Sequence, residues 1–357
     1  MSEHHSVIII GAGLSGLYCA WRLHQQNINV TVLEARERCG GRILCAAPDK
    51  EANDRIDLGP AWLWPMFQPR LQQLITELNI ETFTQYTQGD MLYEVKPDNI
   101  QRHGGPSSHQ QSFRIKNGND ALVKALLQQL PENTVQLNTK VTQINQSPLQ
   151  INAIQGSTNV NYTADKIILA MPLRLANHCI ELNPSLDDAT QQVWQNTPTW
   201  MASHCKMVFI YSQPFWRTQG LSGEVFSHHG PLSEVYDGSP ASEEYFALTS
   251  FVALNAAQRK QLPIDDLKNA AIKQLQRLFG EQASQAEHIY IQDWSTEEFT
   301  CTTMDLQQAP RHPDVPESFP REIGNNKVLL AGTEIAREHG GYLEGAIESA
   351  DEILPLV

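Results

Sequence analysis

Gly11, Gly13 and Gly16 stand in GxGxxG spacing directly after the apolar run 7–10 (VIII), and Glu34 lies 18 residues beyond the last of them. Between a strand and a helix such glycines do chemistry. Gly11 permits the tight turn, Gly13 lets a pyrophosphate approach the backbone, and Gly16 lets the helix lie close to the strand, with the phosphates at the helix N-terminus. Glu34, closing the next apolar run, then accepts hydrogen bonds from an adenosine ribose. A bare GxGxxG is weak evidence, but strand, helix and a correctly placed acid together read as a dinucleotide site. Farther along, the run 204–211 (HCKMVFIY) alternates with period 2 and puts Lys206 on the face of Val208 and Ile210. A buried ammonium is costly without a partner or a role; the alternative is a lysine on a solvated strand face.

These residues need a scaffold. The spacing predicts strand, helix and strand over 7–10, 14–26 and 29–33. Helix is expected over 70–80. A short strand and then a helix capped near Asn119 or Asp120 are expected over 113–130, and strands over 134–146, 165–172 and 204–211. A helix follows over 264–279, and the chain closes with strand, turn and a helix over 342–354. The Pro-rich, polar stretch 300–326 reads as a long surface loop. This interleaving predicts an α/β, two-lobed chain. Residues 1–61, about 115–174 and 296–357 would form a Rossmann-like domain, and about 62–114 and 175–295 a second lobe.

The chain has 357 residues, enough for about two domains. With 41% hydrophobic and 18% charged residues it belongs among globular proteins rather than disordered ones. A net charge of −14, from 26 Lys and Arg against 40 Asp and Glu, argues against nucleic-acid binding and mildly favours cationic ligands. Cys19, Cys39, Cys45, Cys179, Cys205 and Cys301 form no CxxC pair or His/Cys cluster, so reduced thiols and no metal site are expected. No basic leader and no membrane-length apolar run are visible, which makes the cytoplasm the expected compartment and no membrane partner expected.

VIIIGAGLSGLYCAWRL, VLEARERCGGRI, DLGPAW and AGTEIAREHGGYLEGAIESA resemble, in order and at both ends of the chain, the flavin-dependent amine oxidases: monoamine oxidases, polyamine oxidases and L-amino acid oxidases. The resemblance covers most of the chain, weakly in the middle. It implies a Rossmann-like FAD-binding domain interleaved with a reduced substrate domain, and non-covalent FAD. It places Gly11, Gly13, Ser15, Gly16, Glu34, Ala35, Arg36, Gly41 and Arg42 along the dinucleotide, with Arg42 as a fixed positive fork beside phosphates or ring. Gly59, Pro60, Ala61 and Trp62 match the family's loop at the isoalloxazine edge. Val141 matches a backbone contact to adenine, and Trp294 a tryptophan beside the flavin, for which core packing is an equal account. Gly332 and Ala346 fall in the C-terminal motif. There Glu334 looks like the residue that binds ribityl hydroxyls, and Gly341, Tyr342 and Leu343 open a helix whose dipole faces a reduced flavin's N1 and C2 oxygen.

For chemistry, the resemblance gives Lys206 the role of holding a water against flavin N5, and Tyr342 that of one wall of an aromatic cage. It implies oxidation of an amine C–N bond to an imine by hydride transfer, with dioxygen as acceptor giving hydrogen peroxide, and a homodimer by analogy. Departures bear on this. Aligned on the following TT, Thr300 and Cys301 stand where monoamine oxidases carry the flavin-linked cysteine and the second cage aromatic, so half of the cage is missing. The chain is also short, with only a polar loop between about Asp98 and Arg114 where a helical part of the substrate domain is expected. Three other readings stay open. An L-amino acid oxidase would need an arginine clamp, for which Arg70 and Arg174 are candidates; a flavin desaturase acting on C–C bonds shares the dinucleotide motifs; and a flavin-binding partner without turnover would suit a missing lid.

Overall fold

The apolar run after the N-terminus is β1 (Glu3–Ile10), which turns at Gly11 into α1 (Leu14–Gln25) and returns through β2 (Val30–Leu33). The computed structural model describes residues 3–48, 54–316, 318–324 and 326–357. β1 pairs in parallel with β2 on one side and with the long strand Thr158–Ala170 on the other. Val7 and Ile9 join the core under α1 and the closing helix Leu343–Ile353, while Ile8 and Ile10 join the core on the opposite face. Burial on both faces is why this strand reads as an unbroken apolar run rather than an alternating one.

The sheet runs in the order Glu181–Asn183, Thr139–Gln146, Leu149–Gln155, Thr158–Ala170, β1, β2, Val135–Gln136. Val328–Ala331 pairs in parallel with the C-terminal end of Thr158–Ala170. A second sheet runs in the order His288–Asp293, Cys205–Tyr211, Phe246–Val252, Leu232–Asp237, Leu221–Ser227, Asp90–Lys96, Asn99–His103. In its strand Cys205–Tyr211, Met207 and Phe209 face the helix Ile264–Phe279, whereas Val208 and Ile210 pack on Ile56 and Leu58. Alternation therefore aims Lys206 at the loop that joins the two sheets. Among the described residues no helix is long and apolar enough to cross a membrane.

Four sequence expectations are corrected. The strand expected over 134–146 is two: Val135–Gln136 pairs in parallel beside β2, and Thr139–Gln146 turns away to pair with Leu149–Gln155. Between them Asn138 takes φ 53°, a left-handed turn that asparagine tolerates better than most residues. The stretch 300–326 is not wholly a surface loop. It contains the short helix Thr303–Gln307, whose Asp305 is buried against Arg174, and the strand Glu322–Ile323. The polar segment after Asp98 holds the strand Asn99–His103 and then drives His109 inward among aromatic rings. Finally, Glu181–Asn183 and the fully buried Trp194 belong to the first sheet's core, although they lie in the range 175–295 assigned to the second lobe. Burying that indole against the back of the sheet decides its side.

Candidate active site

The two sheets meet along one cleft of about 350 Å³ that extends from Glu34 to Tyr342. Every residue that the resemblance assigns to the cofactor or to the amine chemistry lines it except Gly16. That exception has a physical cause. A Cβ on Gly16 would sit 2.0 Å from Gly11 O and 3.3 Å from the Ala170 side chain, so its role is close helix–strand contact. Gly11, at φ 104°, would drive a Cβ to 2.5 Å from Ala170 O. Gly13 differs from both: nothing lies within 4 Å of where its Cβ would be, which leaves open space at the N-terminus of α1. Helix first-turn amides lack intrahelical partners and attract anions, and the buried Ser15 hydroxyl there has no partner in the protein.

Glu34 is held in position by the chain itself. Its carboxylate accepts from the Ala12 amide at 2.7 Å and from the Arg36 amide at 2.9 Å. A carboxylate has lone pairs beyond those two, so a diol can still bind. Arg36 in turn donates to Thr300 Oγ1 at 2.8 Å and lies over the Phe299 ring. Val141 lines the same end, beside the point where its ladder with Leu149–Gln155 shifts register.

In the middle of the cleft Arg42 Nη1 stands 2.6 Å from Glu334, which is 1% exposed, and also donates to Trp200 O at 3.1 Å. Neither Glu334 oxygen has a well-aligned hydrogen-bond donor. A buried carboxylate in that state is costly unless a ligand supplies donors. Opposite lies the loop Gly59, Pro60, Ala61 and Trp62, under which the buried Trp294 donates to Leu58 O at 3.2 Å. The closing helix begins at Leu343 with Tyr342 at its cap. Open space at Gly13, the unpartnered Ser15 hydroxyl and the Glu334 carboxylate, ion-paired with Arg42 but without an aligned donor, together fit an elongated, hydroxyl-bearing dinucleotide.

At the far end Lys206 is 2% exposed and donates to Gly59 O at 2.8 Å and Asp57 O at 3.2 Å. Its Nζ lies 5.4 Å from the Trp62 ring centroid and 5.6 Å from that of Phe251. Burial pushes its pKa down to about 8, against the pull of Asp57. An ammonium has three donors, so one remains after the two carbonyls. Behind Trp62, the His109 ring lies 4.3 Å from it and 4.5 Å from Tyr236, and burial lowers the His109 pKa to about 4.

The candidate carboxylate clamps are elsewhere. Arg174 is locked to Asp305 at 2.5 Å, and Arg70 pairs with Glu344 and Asp351. Neither lines the cleft, because each is taken up by a carboxylate of the chain. Cys301 also stays out of the lining: its Sγ contacts Thr302 O and burial pushes its pKa up to about 12. Residues the sequence reading missed include Trp64, Gln68, Trp200, His204 and Phe251, all in the lining. For Phe251 the signal was available, since it pairs with Lys206 across the sheet. For Trp200 there was none, because it comes from irregular chain between helix and strand.

Comparison with known proteins agrees with this geometry. Residues 106–352 match the flavin containing amine oxidoreductases, and residues 9–78 an NAD(P)-binding Rossmann-like domain. The chain is 24% identical to the flavin-containing amine oxidase A of Sus scrofa, over 97% of this chain and 83% of that one. That alignment runs over 452 residues, more than the 357 present here, so the relative carries inserted segments that this chain lacks. It is also 24% identical to an L-amino acid dehydrogenase of Synechocystis, over 96% and 93% of the two chains. Among solved structures, putrescine oxidase bound to putrescine superposes with a TM-score of 0.82 at 20% identity, over 99% of both chains. The chain belongs to the flavin-containing amine oxidoreductases. It is an FAD-dependent oxidoreductase, and FAD is the dinucleotide that the cleft fits.

Proposed function

We propose that the protein oxidises the C–N bond of a small amine to an imine, which water then hydrolyses to a carbonyl. The chemistry that bound FAD supplies is acceptance of a hydride equivalent at N5, with dioxygen then taking the electrons to give hydrogen peroxide. The observation that carries the reading is Lys206. It is a fully buried amine with two donors spent on Asp57 and Gly59 carbonyls and one left over, in an aromatic recess at the end of a dinucleotide cradle. That remaining donor would hold a water at the reacting edge. Trp62, Phe251 and Tyr342 would exclude bulk water and orient the amine. Glu334 and Arg42 would hold the ribityl and phosphate portions, Glu34 the ribose, and the first turn of the closing helix would face developing negative charge. We take the two sheets as the centres of two lobes, with the sequence borders adjusted so that Glu181–Asn183 joins the nucleotide side.

Anaerobic titration of the yellow protein with mono-, di- and polyamines and amino acids tests this. Bleaching of the flavin by one amine class is the expected result. A flavin that no amine bleaches overturns the reading.

A further inference from the structure

Three rings form a continuous stack at the mouth of the cleft. Trp200 and His312 lie 3.7 Å apart at 23°, and His312 and Tyr342 lie 4.9 Å apart at 20°. The outer two rings line the cleft and the middle one does not. The outer rings are also the better fixed. Trp200 has its carbonyl held by Arg42, and its ring lies so close to Gly341 that a Cβ there would be 2.7 Å from it. Tyr342 donates its amide to His339 O and accepts through its carbonyl from Thr333 Oγ1 at 2.7 Å. His312 is exposed and comes from the Pro-rich segment without regular structure. Its Nδ1 meets Gly340 O at 2.9 Å, and its Nε2 has only a long contact, 3.4 Å, with the Tyr342 hydroxyl. Pro313 beside it is buried on Gly340, so the segment is anchored and removing the imidazole takes only a side-chain rotation.

We propose that Trp200 and Tyr342 are the two walls of a slot for a flat ring, that His312 occupies this slot in the free protein, and that the slot takes the aromatic or heteroaromatic ring of an amine in its place. Trp200 thereby becomes a specificity-determining residue that sets ring-bearing amines apart from alkylamines. Two near-parallel neighbours at this spacing suit a planar ring and gain nothing comparable from an alkyl chain. An internal occupant weakens binding by the fraction of time it fills the site, so its removal strengthens the binding of any ring that competes for it.

The inference rests on the amine-oxidase reading for its ligand class, but its test reads binding rather than turnover. The FAD-loaded protein is titrated anaerobically with imidazole, 2-phenylethylamine and n-hexylamine, following tryptophan fluorescence and perturbation of the flavin spectrum. His312→Ala is expected to bind imidazole and 2-phenylethylamine about tenfold more tightly, the scale of a pair of aromatic contacts, with n-hexylamine unchanged. Trp200→Leu is expected to weaken both ring compounds about tenfold and to leave n-hexylamine unchanged. Should Trp200→Leu shed its flavin, Trp200→Phe, which keeps a flat wall, must retain the ring preference. Equal effects on ring and alkyl compounds, or weaker ring binding in His312→Ala, overturn the slot. Failure of every amine to bleach the flavin would instead sink the amine-oxidase reading, and imidazole binding would still report on the slot.

Discussion

The two ends of the cleft are built on different principles. The nucleotide end is made of backbone. Gly11, Gly13, Gly16 and Glu34 lie within one strand–helix–strand unit, and each contact there is set by a missing side chain or by a main-chain amide. The end proposed to take the amine is made of side chains from distant segments: Trp62, Trp200, Lys206, Phe251 and Tyr342. A backbone cradle holds one ligand shape and tolerates no change, whereas a wall of rings can be recut one residue at a time. The difference teaches where specificity can vary in this molecule: at the amine end, with the cofactor held constant.

The hardest test of that contrast lies inside the glycine turn. Gly16→Ala forces a Cβ onto a carbonyl oxygen 2.0 Å away and is expected to cost about 3 kcal/mol or more of stability. Gly13→Ala meets open space, so thermal unfolding of the flavin-free protein should be unchanged while FAD affinity falls roughly tenfold or more. If Gly13→Ala also melts the flavin-free protein, the space beside it is not a ligand cradle. At the other end, Lys206→Met should keep its flavin and lower the rate of anaerobic reduction by about 10²-fold or more. Stopped-flow reduction checks this, and an unchanged rate removes Lys206 from the chemistry.

A smaller effect comes from the charge of the same residue. Its pKa in the folded protein, about 8, is below the ordinary lysine value of 10.5, so between those values the unfolded chain binds more protons. Stability therefore rises with pH through that window, by at most about 3 kcal/mol if the whole shift is expressed, and below it the full cost of burying the ammonium is present. Urea unfolding of wild type and Lys206→Met at about pH 8 and pH 10 should converge or cross as pH rises; parallel profiles would refute the shift. Smallest of all is Arg70→Ala. This half-exposed arginine pairs with the partly exposed Asp351 and with the buried Glu344, whose carboxylate keeps the Arg70 and Leu71 amides as donors after truncation, so stability should fall by about 1 kcal/mol. Any relative preference for amino acids over amines should stay as it was, and loss of amino-acid binding in this variant would revive the carboxylate clamp.

Legibility in the sequence follows the same divide. The dinucleotide turn could be read because its determinants are local: three glycines in a row of six, an apolar run buried on both faces, and an acid at the end of the next strand. Lys206 could be placed on the correct face by alternation, with Val208 and Ile210 beside it. Trp200 and His312 could not, because ring stacking between irregular segments leaves no periodic trace. The broken strand around Asn138 escaped for a related reason. Both halves have strand character, and only the pairing partners, β2 on one side and Leu149–Gln155 on the other, separate them. Asp305 was hidden in a polar, Pro-rich stretch, where composition argues for solvent and only its arginine partner explains burial.

The meeting of Arg42 with Glu334 also sets an order of events during synthesis. The glycine turn is made long before the strand Val328–Ala331 and the closing helix Leu343–Ile353, and its cleft has no far wall until both exist. Until then the apolar flank that these two elements cover stays open, and long-range pairing of this kind is slow to form. A flavin cradle whose facing walls are so far apart in sequence can therefore close on its ligand only after the later wall has been made.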